Sequence, residues 1–127
     1  MEFRNNDKSI FLQIADSITE KVVSGTYPPE EKIPSVREMA AEVGVNPNTI
    51  MRTYNELQSL QIIENKRGIG YFVKPEAQQL ILNKKKTDFF SKVLPDVMQQ
   101  AGLLGITADE LKKHIDQLSN SNNHENK

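Results

Sequence analysis

Ser35 to Leu60 reads SVREMAAEVGVNPNTIMRTYNELQSL, and this stretch decides the fold. In its first part Val36, Met39, Ala40 and Val43 recur at i, i+3, i+4 and i+7, one face of a helix. Gly44 follows at once, where a helix end can turn left-handed without a Cβ clash. Asn46 and Pro47 then open a second helix, Asn as N-cap and Pro at the first position, where a missing N–H is no loss. In that helix Ile50, Tyr54, Leu57 and Leu60 form the apolar stripe, while Asn48, Arg52, Asn55 and Ser59 point away from it. A pair of helices joined by a tight turn, the second with a small, polar, hydrogen-bonding outer face, fits a DNA major groove.

An ordinary αα-hairpin inside an all-α domain would show the same two-helix pattern. The following residues separate the two readings. Ile62-Ile63-Glu64, then Asn65-Lys66-Arg67-Gly68-Ile69-Gly70, then Tyr71-Phe72-Val73-Lys74 predict strand, glycine-bearing turn and strand. A hairpin directly after the second helix, with Lys66 and Arg67 at its tip, has the placement of a wing. The fold class expected is mainly α with a small β-hairpin, a winged helix-turn-helix.

These marks resemble the winged-helix domain of the GntR family of bacterial transcription regulators, from about Phe11 to Val73. The matching residues are Ile33-Pro34-Ser35-Val36-Arg37-Glu38-Met39-Ala40, Val45-Asn46-Pro47-Asn48-Thr49-Ile50, and Arg67-Gly68-Ile69-Gly70-Tyr71-Phe72-Val73. The Asn-Pro-Asn-Thr form, with a short tail, resembles the YtrA-type subfamily in particular. The resemblance implies a sequence-specific homodimeric repressor on a two-fold symmetric double-stranded DNA operator, with transporter operons among its targets. It also implies that Ser35 and Arg37 meet the DNA backbone. The family usually has Gly where Glu30 stands, and many members carry Arg at the place of Met51.

The residues themselves supply reasons for these roles. Ser35 with Glu38 three positions on is a capping box, and a helix N-terminus also favours phosphate. Arg37 reads either as a phosphate contact or as half of a surface ion pair with Glu38 or Glu42. Arg grips guanine bidentately and Asn grips adenine, which makes Arg52 the leading base reader, with Asn48 and Thr49 beside it. Lys66 and Arg67 would reach a minor groove or flanking phosphates, and Gly68 lets backbone approach backbone. The DNA-facing set is therefore Ser35, Arg37, Asn46, Asn48, Thr49, Arg52, Lys66, Arg67 and Gly68.

Upstream, Phe11, Ile14, Ala15, Ile18 and Val22 predict a helix from Ile10 to Ser24 that closes the core behind the two-helix unit, with Gly25 as its stop. Thr26 to Lys32 holds two prolines and a charge cluster and reads as loop. Downstream, Ala77 to Leu82 predicts a helical turn or two, and Lys84-Lys85-Lys86 a solvated face. Phe89, Phe90, Val93, Leu94, Val97, Met98 and Ala101 form an apolar stripe that passes through Pro95, where a kink or short break is expected. Gly102 is expected to end it. Thr107 with Glu110 predicts a second capping box, and Leu111, Ile115 and Leu118 a last helix. Three parts are expected: a winged-helix domain over 1–75, a short helical dimerisation segment over 76–118, and a disordered tail over 119–127. A segment so small cannot build its own core, so its stripe packs back on the winged helix or meets a second copy.

Composition bounds the rest. The chain has 127 residues and no cysteine, which removes disulfides, thiol catalysis and Cys-based zinc sites. No apolar run is long enough to span a bilayer, and the N-terminus shows no secretory pattern, so a cytoplasmic protein is expected. A net charge of −1 does not advertise nucleic acid, so recognition must rest on a local basic footprint. His114 and His124 lack partners at metal-ligand spacing, no nucleophile pattern occurs, and Gly68-Ile69-Gly70 lacks the rest of any phosphate loop. No enzyme activity, cofactor or metal is expected. An unidentified small-molecule effector stays open as a partner, although no separate effector domain fits the length. The competing reading is a winged helix serving as a protein-interaction module without specific DNA binding.

Overall fold

A computed structural model describes residues 9–125. The first helix, α1 (Ile10–Ser24), ends on Gly25, whose left-handed backbone (φ 85°) suits a residue without Cβ. After the proline loop, α2 (Val36–Val43) and α3 (Pro47–Ser59) are joined through Gly44 (φ 81°), whose N–H returns to the Ala40 carbonyl at 2.8 Å. Both helix starts are capped as their sequences require. The Glu38 amide donates to Ser35 Oγ at 3.1 Å, and the Ser35 amide donates to Glu38 Oε1 at 2.9 Å. The Asn48 amide donates to Asn46 Oδ1 at 2.8 Å.

Strands β1 (Ile63–Lys66) and β2 (Gly70–Val73) pair antiparallel, with Ile63 opposite Val73 and Lys66 opposite Gly70. Pairing runs closer to the tip than expected, so the turn shrinks to Arg67-Gly68-Ile69. The proline loop adds a third edge. Lys32 bridges Phe72, the Ile33 amide donates to the Tyr71 carbonyl at 2.9 Å, and the Val73 amide donates to the Glu31 carbonyl at 3.0 Å. Glu30 takes a left-handed backbone (φ 67°), so the turn keeps the conformation glycine adopts freely although a side chain stands there.

The core collects Ile14, Ile18 and Val22 of α1, Met39 and Ala40 of α2, Ile50, Tyr54 and Leu57 of α3, and Ile63 and Val73 of the hairpin. Ala15, Ile33, Ile62, Ala77 and Ile81 complete it. Leu60 does not join this stripe. It is 46% exposed, because the helix ends there and the chain turns away. Thr53 takes the inner position instead, its hydroxyl within reach of the Thr49 carbonyl (2.9 Å) and the Phe11 carbonyl (3.2 Å).

The chain divides into two compact units, residues 1–85 and 86–127. The boundary falls inside α4 (Ala77–Asp88), which is longer than the one or two turns expected because no Gly or Pro interrupts it. In the second unit Pro95 causes no break. Residues Phe89–Val93 form one wide helical turn, closed by the Leu94 amide on the Phe89 carbonyl, and α5 (Leu94–Leu103) continues from it. Widening the turn before a proline makes room for a ring that would otherwise strike the carbonyl four residues back.

Gly102 lies inside α5, and the left-handed residue after it is Gly105 (φ 72°). The box at Thr107 and Glu110 forms, each amide donating to the other's side chain at 3.2 Å, and starts α6 (Ala108–Glu125). Helix α6 runs through the stretch 119–125 that was expected to be disordered, with no Gly or Pro to stop it. Residues 126 and 127 lie outside the described residues.

Candidate nucleic-acid interface

Helix α3 has two occupied flanks and one open face. On the inner side Ile50, Thr53, Tyr54 and Leu57 are buried. Towards the hairpin, the Tyr71 ring meets Tyr54 edge to face with centroids 4.8 Å apart, and the Tyr71 hydroxyl lies 3.9 Å from Met51 Sδ. Opposite the core, Asn48, Arg52, Asn55 and Ser59 are all exposed. Their spacing of four, three and four residues keeps them on one stripe. The structure thus places Asn48 and Arg52, but not Thr49, of the α3 residues expected to face DNA on one exposed stripe.

The two helix starts are more committed than their sequences suggest. The Ser35 hydroxyl is taken by the Glu38 amide, so an anion at this end would meet backbone N–H groups and the Arg37 side chain, which is exposed. Glu38 stands beside them as a carboxylate. The Ser35 backbone N–H, then the Ser35 hydroxyl, then the charge of Lys32 hold its pKa below the ordinary 4.5. At α3, Asn46 Oδ1 serves the cap, leaving only its amide N–H groups for a ligand. The Thr49 carbonyl is within reach of the Thr53 hydroxyl, and its side chain is only half-exposed. Among the candidates of α3, Asn48 and Arg52 are exposed.

The wing divides its two cations. Lys66 lies 3.8 Å from Glu64 and 4.4 Å from the centroid of the Phe72 ring, so its charge is drawn back along the outer face of the hairpin. Arg67 stands exposed in the turn, next to Gly68 (φ 80°), and makes no ion pair among the described residues.

Two contributors escaped the sequence reading. Phe11 of α1 lies under the Arg52 guanidinium, 3.9 Å from carbon to ring centroid. Lys32, read only as loop, lies along the hairpin: a Cβ on Gly70 would come within 2.6 Å of its Cε. Its backbone faces Phe72, and Phe72, Gly70, Lys66 and Glu64 share one face of the hairpin by register. No signal in the sequence marked either contact, since both depend on which elements pack side by side. Among the described residues there is no group of three or more His, Asp or Glu residues placed to hold a metal ion. Nor, among the described residues, is any helix long and apolar enough to cross a membrane.

Residues 11–73 match the family described as "Bacterial regulatory proteins, gntR family". An uncharacterized HTH-type transcriptional regulator, YhcF of Bacillus subtilis, is 42% identical over 87% of this chain and 89% of its own. The HTH-type transcriptional repressor YtrA of the same organism is 32% identical over 87% of this chain and 84% of its own. Among solved structures, a transcriptional regulator from Bacteroides thetaiotaomicron superposes with a TM-score of 0.76 at 40% identity, covering 90% of this chain and 99% of that one.

Proposed function

Since the chain belongs to the GntR family of bacterial transcription regulators, and is a DNA-binding regulator and not an enzyme, we propose that it acts as a homodimeric repressor on a two-fold symmetric operator. The observation that carries the DNA-contacting assignment is the open stripe of α3, with Arg52 on it, next to a wing that offers Arg67 at its turn. Arg52 and Asn48 read bases in the major groove. Arg67, Gly68 and Lys66 hold the flanking backbone or minor groove, with Arg67 contributing more than the partly neutralised Lys66. Asn46 and Thr49 orient the start of α3, and the α2 N-terminus with Ser35 and Arg37 takes a phosphate.

The second unit supports the dimer reading. Among its described residues only Ala101 is buried, while Phe89, Phe90, Val93, Val97 and Met98 are each at least 41% exposed. An apolar stripe of this extent is covered by a second copy, which two half-sites also require. The YtrA-type kinship points to transporter genes, the chain's own operon included, as targets, and leaves an effector to be sought.

The test is a binding titration on duplex from upstream of the gene against unrelated duplex of equal length, across a salt series. Tight binding to the upstream duplex, with a steep salt dependence and far weaker control binding, is the expected result. Equal and weak binding to both would count against a specific operator there. Absence of binding at low salt would turn attention to a protein partner for the α3 face.

A further inference from the structure

The Arg52 guanidinium carbon lies over the Phe11 ring, 3.9 Å from the ring centroid. The same α1 residue meets α3 a second time, through its carbonyl, which is within 3.2 Å of the buried Thr53 hydroxyl. The start of α1 is thereby tied to α3 at two successive positions. A guanidinium carries its five N–H groups in its own plane and offers its faces to aromatic rings, so contact with a ring need not consume a donor. What the ring restricts is the swing of a long side chain that otherwise samples many rotamers. Among the described residues Arg52 makes no ion pair, so no described carboxylate competes for its donors.

We infer that Phe11 is a positioning residue for sequence discrimination: its ring holds the Arg52 fork in the orientation in which it grips a base edge. The inference rests on the reading of Arg52 as a base contact. Binding a base with a pre-set fork loses less conformational freedom than binding with a free one, and the gain appears only on sequences that offer the matching acceptors. Phosphate contacts, made by other residues, do not depend on it.

The experiment enriches duplexes from a random pool with the full-length wild-type protein. Affinity is then measured on the enriched duplex and on a shuffled duplex across a salt series. Phe11→Leu, which keeps apolar bulk but removes the π face, is expected to lose about tenfold in the ratio of specific to shuffled binding. Its shuffled-duplex affinity, salt slope and melting temperature should stay near wild type. Phe11→Tyr should restore the ratio, and Phe11→Leu should add nothing once Arg52→Ala is present. An unchanged ratio, a gain in specific affinity, or equal losses on both duplexes would overturn the assignment, the last showing a merely structural ring. If Arg52→Ala alone leaves the ratio intact, the base-contact reading fails first. A wild-type protein that enriches no sequence would sink both readings together.

Discussion

The Tyr54 hydroxyl donates to the Pro34 carbonyl across 2.7 Å, tying the middle of α3 to the strand-like segment that leads into α2. Tyr54 is withdrawn from bulk water, and burial pushes its phenol well above its ordinary pKa of 10.0. Tyr54→Phe leaves the Pro34 carbonyl without its donor and should cost about 1–3 kcal/mol in urea denaturation. The pH dependence has a definite sign. A pKa raised on folding gives stability that is complete below the unfolded value, near 10, and lost as pH rises towards the folded value. The difference between wild type and Tyr54→Phe should therefore shrink above pH ~10.

Glu30 bears a left-handed backbone that costs a residue with a Cβ roughly 1 kcal/mol. Glu30→Gly removes that strain, and glycine's greater freedom in the unfolded chain returns part of the gain. A net stabilisation of about 0.5 kcal/mol is expected from the denaturation midpoint. A Val at the same position should destabilise the domain. If both variants match wild type, the turn does not bear the strain described.

The α2 capping box couples acid to stability. Ser35→Ala should cost about 0.5–2 kcal/mol, read by thermal or chemical unfolding. Glu38 has a lowered pKa in the folded chain, so its share is present above the unfolded value of 4.5 and lost as pH falls through the folded one. Glu38→Gln should flatten the acid limb of the stability profile and leave the neutral region closer to wild type.

Arg52 and Arg67 should fail differently. Arg52→Ala should relax sequence preference, with a loss of about 1–3 kcal/mol on the enriched site and little on unrelated duplex. Arg67→Ala should weaken both and reduce the salt slope by about one unit. Lys66→Ala should have a smaller effect than Arg67→Ala, because Lys66 is already drawn towards Glu64 and Phe72. Identical profiles for Arg52→Ala and Arg67→Ala in these titrations would contradict the division.

A charge on the second unit's stripe tests the proposed dimer. Val97→Glu is expected to convert a dimer to a monomer in sedimentation, with loss of tight operator binding and no change in the helical content of the first unit. A protein that sediments as a dimer with Val97→Glu would place the contact elsewhere.

Helix positions and caps were legible because each rests on local chemistry. Ser35 with Glu38, Asn46 with Pro47, and Thr107 with Glu110 announce their helix starts within a few residues. Long-range contacts were not. Periodicity placed Leu60 on the inner stripe of α3, but nothing local showed that the helix would end there and leave it exposed. Phe11 had no visible partner because the helix it stacks on lies forty residues away in sequence. Pro95 announced a disturbance without its form: a break, a kink and a widened turn all relieve the same clash, and the surrounding helix-forming residues favoured the last.

That widened turn has a consequence for what composition alone can encode. Closing Leu94 on Phe89 encloses one more residue than an ordinary α-turn. Every side chain of α5 is thereby set back by about 100° around the axis from where an unbroken α-helix would place it after residues 86–88. Chain length between Phe89 and Val93 acts as a phase setting. Deleting one residue there would keep nearly all of the apolar side chains yet turn a different side of α5 outward, so a shortened relative with almost the same residues would present a different surface.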